Sequence, residues 1–111
     1  MKRKEKYNQY DEWYQNRRFD YWKSLKALEE EFRRMEGAYK LHQMTGLEKW
    51  EHHERECYVA FKLTYNCTVD LYNELTRYWY EHHEEMNKCQ TWNETLWHPD
   101  EWLIRWAGGL K

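Results

Sequence analysis

The chain has 111 residues, the size of one domain. Its 18 Lys and Arg against 20 Asp and Glu leave a net charge of −2, without the basic excess expected of a nucleic-acid binder. Charge-free runs are short, 63–69 being typical, and far below the roughly 18 apolar residues a membrane span needs, so no transmembrane span is expected. The apolar content is skewed: 8 Trp, 10 Tyr and 3 Phe stand against only 13 Leu, Ile and Val. So few aliphatics usually signal disorder, but disorder goes with high net charge and few aromatics, and neither holds here. Trp and Tyr bury large areas while keeping a polar tip, and both are enriched at protein–protein interfaces. The composition therefore predicts a subunit that completes its core against a partner.

Residues 1–44 read as a basic arm followed by an amphipathic helix. Met1 to Lys6 is basic with no apolar run behind it, unlike a secretory signal, and Glu5, Asp11, Glu12 and Asp20 interrupt it as a matrix presequence. From about 10 to 42 the pattern is helical. Leu25, Leu28, Phe32, Met35, Tyr39 and His42 recur at spacings of three and four, a seam facing one partner helix. Tyr14 and Tyr21 continue it less cleanly, while Glu29, Glu30, Glu31, Arg33 and Arg34 fall mostly off it, as on a solvated face.

Gly46 marks a boundary, with Thr45 and Glu48 at capping-box spacing for a new helix. Leu47, Trp50, Glu54, Cys57/Tyr58, Phe61 and Tyr65 then keep helical spacing, and a second stretch carries Leu71, Leu75, Tyr78/Trp79 and His82. Pro99 disfavours helix at His98, so an irregular tail is expected beyond it. No strand-like alternation of useful length occurs. The fold class is all-α. Residues 1–44 carry a net +3 and residues 45–111 a net −5, which suits a basic partner or simply a solvated surface.

Glu-His-His-Glu occurs twice, at 51–54 and 81–84. Imidazole and carboxylate suit zinc or iron, but adjacent histidines diverge by about 100° on a helix, and neither H-E-x-x-H nor a Glu three before a His is present. His53 and Cys57, four apart, are the best local pair. Helix-favouring exposed residues are the simpler account, and no metal is expected. Nor is there a nucleophile motif or a phosphate loop, and Ser24 stands alone as a serine. The sequons at Asn66 and Asn93 are read as chance. A non-enzyme with no cofactor and no small-molecule substrate is the expectation.

Three cysteines, at 57, 67 and 89, are too many for one bridge and too few for two. Nine residues separate Cys57 from Cys67, and His98 lies nine beyond Cys89. In an antiparallel helical hairpin these steps rise about 15 and 13.5 Å, so if Cys67 faced Cys89, Cys57 would fall opposite His98. Cys57-Tyr58-Val59-Ala60-Phe61 and its gap to Cys67 look like the first half of a twin C-x9-C (CHCH) protein. His98-Pro99-Asp100-Glu101-Trp102-Leu103-Ile104-Arg105-Trp106 resembles the C-P-x-x-W-x-x-x-W tail of the cytochrome c oxidase subunit VIb family, with His98 in place of the fourth cysteine.

That resemblance covers about residues 57–106. It implies a CHCH-like helical hairpin within 45–111, an inner Cys67–Cys89 disulfide, and Cys57 left unpaired opposite His98. It implies a non-catalytic accessory subunit of a respiratory-chain complex, most like complex IV, on the intermembrane-space side of the mitochondrial inner membrane. The partners would be other subunits of that membrane complex, met through Leu25, Leu28, Phe32, Met35, Tyr39, Trp102 and Trp106. The pattern departs from the family in the long gap between Cys67 and Cys89, which has no glycine or proline to mark a turn, and an unbroken helix from 47 to 86 would keep the two apart. The alternatives are a C-x9-C subunit of complex I or ATP synthase, and a soluble coiled-coil adaptor whose cysteines are free.

Overall fold

The computed structural model describes residues 8–86 and 96–108. Three helices account for nearly all of them: α1 (Gln9–Thr45), α2 (Glu48–His82) and α3 (Pro99–Gly108), with a short 3₁₀ turn at His83–Glu85. The all-α class holds, and the described residues contain no strand.

α1 has 37 residues and is about 55 Å long at 1.5 Å per residue. The Asn8 carboxamide oxygen opens it, accepting from the backbone N–H groups of Tyr10 at 2.9 Å and Asp11 at 3.1 Å. Asn8 Nδ2 also donates to the Glu85 carbonyl at 2.7 Å, tying the start of α1 to the end of the hairpin. At the other end Gly46 adopts φ 66°, a left-handed conformation that glycine takes without a Cβ penalty, and its N–H donates to the His42 carbonyl at 2.8 Å. The expected capping box does not form. α2 begins at Glu48 with Leu47 as its cap, while the Thr45 hydroxyl donates to the Leu41 carbonyl and accepts from Leu47 N–H.

α2 runs antiparallel to α1. Reading up α1 and down α2, Tyr10 stacks on His82, Trp13 on Tyr78, Arg17 pairs with Glu74, Ser24 bonds Thr68, Phe32 meets Phe61 and His42 meets Glu54. The inner face of α2 passes through Thr64 and Thr68 without a break, so the two helical stretches of the sequence are one helix of 35 residues. This corrects the hairpin expected within 45–111: the hairpin is α1 against α2, turning at Gly46. The physical reason is the absence of any helix-breaking residue between 68 and 82.

The main core gathers Tyr14, Tyr21, Leu25, Leu75 and Met86. The tail also differs from the expectation of irregular structure, because Pro99 starts a helix. Proline suits a first helical position, where its missing N–H is not needed. His98 caps it, with Nδ1 accepting from Asp100 N–H at 3.1 Å and its carbonyl accepting from Trp102 N–H at 3.0 Å. α3 runs in the same direction as α1, its start near Tyr72 and Tyr21 and its end at Phe32. α3 therefore covers the hairpin from about Tyr21 to Arg33, and among the described residues the outer arm beyond it has only two helices.

Candidate functional site

The seam expected to meet another subunit is consumed inside the chain. Leu25 and Leu28 are 4% and 0% exposed. Phe32 lies edge-on to Phe61 at 6.0 Å and to Trp106 at 5.8 Å, and Met35 is half-buried. Leu25 and Leu28 are thus closed to another subunit, while Phe32 and Met35 keep part of their surface. α2 offers a matching stripe on the same chain, and closing a short turn through Gly46 costs less entropy than associating two molecules. At the next turn the buried residue is Ala38 rather than Tyr39, which is 45% exposed. A straight helix drifts from a strict seven-residue repeat, and the small side chain lets the helices approach.

Both tail tryptophans pack on α1. Trp102 Nε1 donates to Glu29 Oε2 at 2.7 Å, and Lys26 Nζ lies 3.6 Å from the other Glu29 oxygen and 5.8 Å from the Trp102 ring. The Trp106 ring carries the Arg33 guanidinium at 5.2 Å. Tyr65 donates to Asp100 at 2.5 Å, and the Tyr21 hydroxyl donates to the Trp97 carbonyl. Burial raises the Tyr21 pKa well above that of a free tyrosine, and the hydrogen bond to Asp100 raises that of Tyr65. Glu29, read as part of a solvated face, is in fact buried beneath α3.

The structure does not bring Cys57 and His98 together. The His98 ring stands edge-on to Tyr72 at 5.0 Å, and Tyr72 is fifteen residues, about 22 Å, along α2 from Cys57. Cys57 and Cys67 are free thiols, the first half-buried and the second exposed. Cys89 lies outside the described residues, and so does the bridge expected between it and Cys67.

The two Glu-His-His-Glu segments do different things. In the second, His82 lies between Tyr10 and Tyr78 with Nδ1 2.9 Å from Glu85, and His83 stacks on Trp79 at 4.5 Å. These are packing roles. In the first, Glu54 reaches across to His42 at 3.2 Å, while His52 is exposed beside Glu56. His53 faces Cys57, with Nε2 3.6 Å from Sγ.

That pair opens onto a cavity of about 210 Å³ between α1 and α2, lined by Glu31, Arg34, His53, Glu56, Cys57 and Ala60. Glu31 Oε2 is buried and accepts no hydrogen bond. The sequence pattern pointed to His53 and Cys57 but missed Glu31 and Arg34. Glu31 follows Leu28 by three and precedes Phe32, so helical spacing alone puts it at the edge of the seam. Among the described residues no group of three His, Cys, Asp or Glu side chains is placed to hold a metal ion. The cavity joins one nucleophilic sulfur and one imidazole to two carboxylates and one guanidinium. No protein-family model, curated protein or solved structure matches the chain.

Proposed function

We propose that the chain is a non-catalytic helical adaptor that holds a protein partner on the outer arm of its hairpin. The observation that carries this is the group of exposed apolar side chains around the Gly46 turn. Where α3 covers the hairpin, Tyr21, Leu25 and Leu28 are buried. Beyond Phe32 there is no third helix among the described residues, and Tyr39, Leu41, Met44, Leu47, Tyr58 and Val59 are all exposed. Met44 is 80% and Leu47 50% exposed at the tip, beside the Gly46 turn. Phe19, Trp22, Leu63, Tyr80 and Ile104 are exposed elsewhere on the chain. Scattered surface apolar residues need no explanation, but Met44 and Leu47, side by side at the tip of the arm, have the character of a contact surface.

A narrower form of the proposal is the accessory subunit of a respiratory-chain complex that the resemblance implies, on the intermembrane-space side of the mitochondrial inner membrane. Complex IV is its first candidate, with complex I or ATP synthase as rivals. It is supported by the Pro99, Trp102 and Trp106 pattern. No helix among the described residues is long and apolar enough to cross a membrane, so attachment would be through other subunits.

The test is to purify the tagged chain under mild conditions from the cells that make it, alongside a Met44→Glu, Leu47→Glu variant. The adaptor reading expects a stoichiometric partner with the parent chain and its loss with the variant. If both forms emerge alone at the monomer mass, the reading fails. Non-reducing mass analysis of alkylated protein decides the narrower form: three thiols alkylated without prior reduction would eliminate it.

A further inference from the structure

The site that holds Trp102 is repeated further out on the arm. At the inner site Glu29 accepts from the indole N–H at 2.7 Å, Lys26 lies 5.8 Å from the ring, and Tyr65 of α2 donates to Asp100, two residues before Trp102. Seven residues is close to two helical turns, so a step of seven returns to the same face. Seven on from Lys26, Leu28 and Glu29 stand Arg33, Met35 and Glu36, and seven back from Tyr65 stands Tyr58. The helices are antiparallel, so both steps lead outward, and the Tyr21–Tyr72 and Phe32–Phe61 ring contacts keep Met35 level with Tyr58. Each residue type is kept: cation, apolar side chain, glutamate and tyrosine. The outer set is only partly used. Trp106 reaches Phe32 and Arg33, about one turn short of Glu36, and α3 ends at Gly108. Tyr58 is 52% and Tyr39 45% exposed, and Glu36 lies 3.8 Å from the exposed Lys40.

We propose that this outer set docks a helix of a partner protein that carries an acidic residue two positions before a tryptophan, as Asp100 stands before Trp102. The proposal rests on the adaptor reading of the arm and gives the partner its chemistry. The partner's tryptophan lies on Met35 and Tyr39, its indole N–H donating to Glu36 and its ring beside the ammonium of Lys40, while Tyr58 donates to the acid. Two features select this occupant. The surface continues the one on which α3 already docks, and its carboxylate, ammonium and phenol complement an indole donor and a carboxylate acceptor at the spacing the inner site uses.

The probe is a fluorescein-labelled synthetic peptide of residues 96–108, which carries the acid and tryptophan pair. A lactam between Glu101 and an Arg105→Lys substitution, where the structure has an exposed ion pair, holds it helical and lowers the cost of ordering. It is titrated with the full-length chain and followed by anisotropy. Saturable one-to-one binding is expected. Trp102→Phe in the peptide should weaken it about tenfold, and Glu36→Gln or Tyr58→Phe in the chain about fivefold each. Both chain substitutions fall at half-exposed positions and should keep the parent's urea midpoint. Met44→Glu with Leu47→Glu, at the tip, should leave peptide binding unchanged. Absence of saturation by about 1 mM overturns the proposal. So does binding indifferent to Glu36→Gln and Tyr58→Phe, which would mean exchange with α3 at the inner site. A parent chain that sediments as a dimer and becomes a monomer on Glu36→Gln places a second copy there and overturns it as well. If the tip variant still loses its cellular partner while the peptide fails to bind, the adaptor reading stands and this site alone falls.

Discussion

One of the bonds that dock α3 can be tested in isolation. Glu29 has a side chain only 11% exposed, and its carboxylate is held by Trp102 Nε1 at 2.7 Å and by Lys26 at 3.6 Å. Trp102→Phe keeps an aromatic ring against α1 and removes the donor. The carboxylate then stays largely buried with a single, half-solvated cation beside it. A hydrogen bond to a charged group is worth about 1.5–3 kcal/mol, and the smaller ring forfeits about 1 kcal/mol of burial. The expected loss is therefore about 3 kcal/mol. Because α3 is ten residues long and touches the hairpin on one side, the loss should appear as local undocking before global unfolding. Hydrogen exchange across 99–108 should speed up by about a hundredfold, with the protection of α1 and α2 near Leu28 and Leu75 little changed. Combining the change with Glu29→Gln should recover part of the loss, since a neutral amide is cheaper to leave half-paired. A change in exchange below about threefold, or strictly additive effects of the two substitutions, would refute the claim that this bond docks the tail.

Three further outcomes follow from the core. Leu75 is fully buried, and Leu75→Ala should lower unfolding stability by about 2–5 kcal/mol in urea titrations, through lost transfer energy and the cavity left behind. Thr68, also fully buried, donates to the Thr64 carbonyl at 2.7 Å and bonds Ser24, so Thr68→Val alone should cost about 1–3 kcal/mol, with Ser24→Ala added to it recovering part of that. The raised pKa of buried Tyr21 means that the folded state keeps a proton that the unfolded state releases near pH 10. Stability should hold below that pH and fall as pH rises beyond it, and Tyr21→Phe should flatten that alkaline decline in urea midpoints measured between pH 7 and 11.

How far the sequence could be read depended on where each signal was stored. The seam through Leu25, Leu28 and Phe32 and the boundary at Gly46 were legible, because helical period and a left-handed glycine are local properties. The identity of the seam's partner was not. A stripe of apolar residues says that something covers it, and only the fold decides that α2 does. α2 was split because its middle turns present Thr64 and Thr68 inward, polar residues whose burial becomes acceptable only through bonds to a carbonyl and to Ser24. The tail was misread for a related reason. Proline ends a helix that precedes it and begins one that follows, and the sequence offered both readings at His98-Pro99. At the cavity, Cys57 and His53 were visible from their spacing, whereas Glu31 comes from the other helix and had no sequence neighbour to announce it.

The aromatic surplus then acquires a physical meaning that composition alone did not give it. Aliphatic side chains bury area without fixing orientation, whereas a Tyr or Trp also carries a polar tip that can bond in one direction, although Trp79 Nε1 is buried without a partner. Three such tips, of Tyr21, Tyr65 and Trp102, bond across from the hairpin to the tail or from the tail to the hairpin. Each bond accepts one position and angle of α3, so the few buried aliphatic residues, Leu25, Leu28 and Leu75, need only supply burial while the aromatics specify the docking. The outer arm has none of these cross-connections among the described residues. Its two helices meet over buried Ala38 and at the His42–Glu54 contact, and Tyr39, Leu41, Met44, Leu47, Tyr58 and Val59 are exposed. The cross-connections that fix orientation are gathered where α3 docks, and the tip of the hairpin, with Met44 and Leu47 exposed, is left to make contacts of another kind.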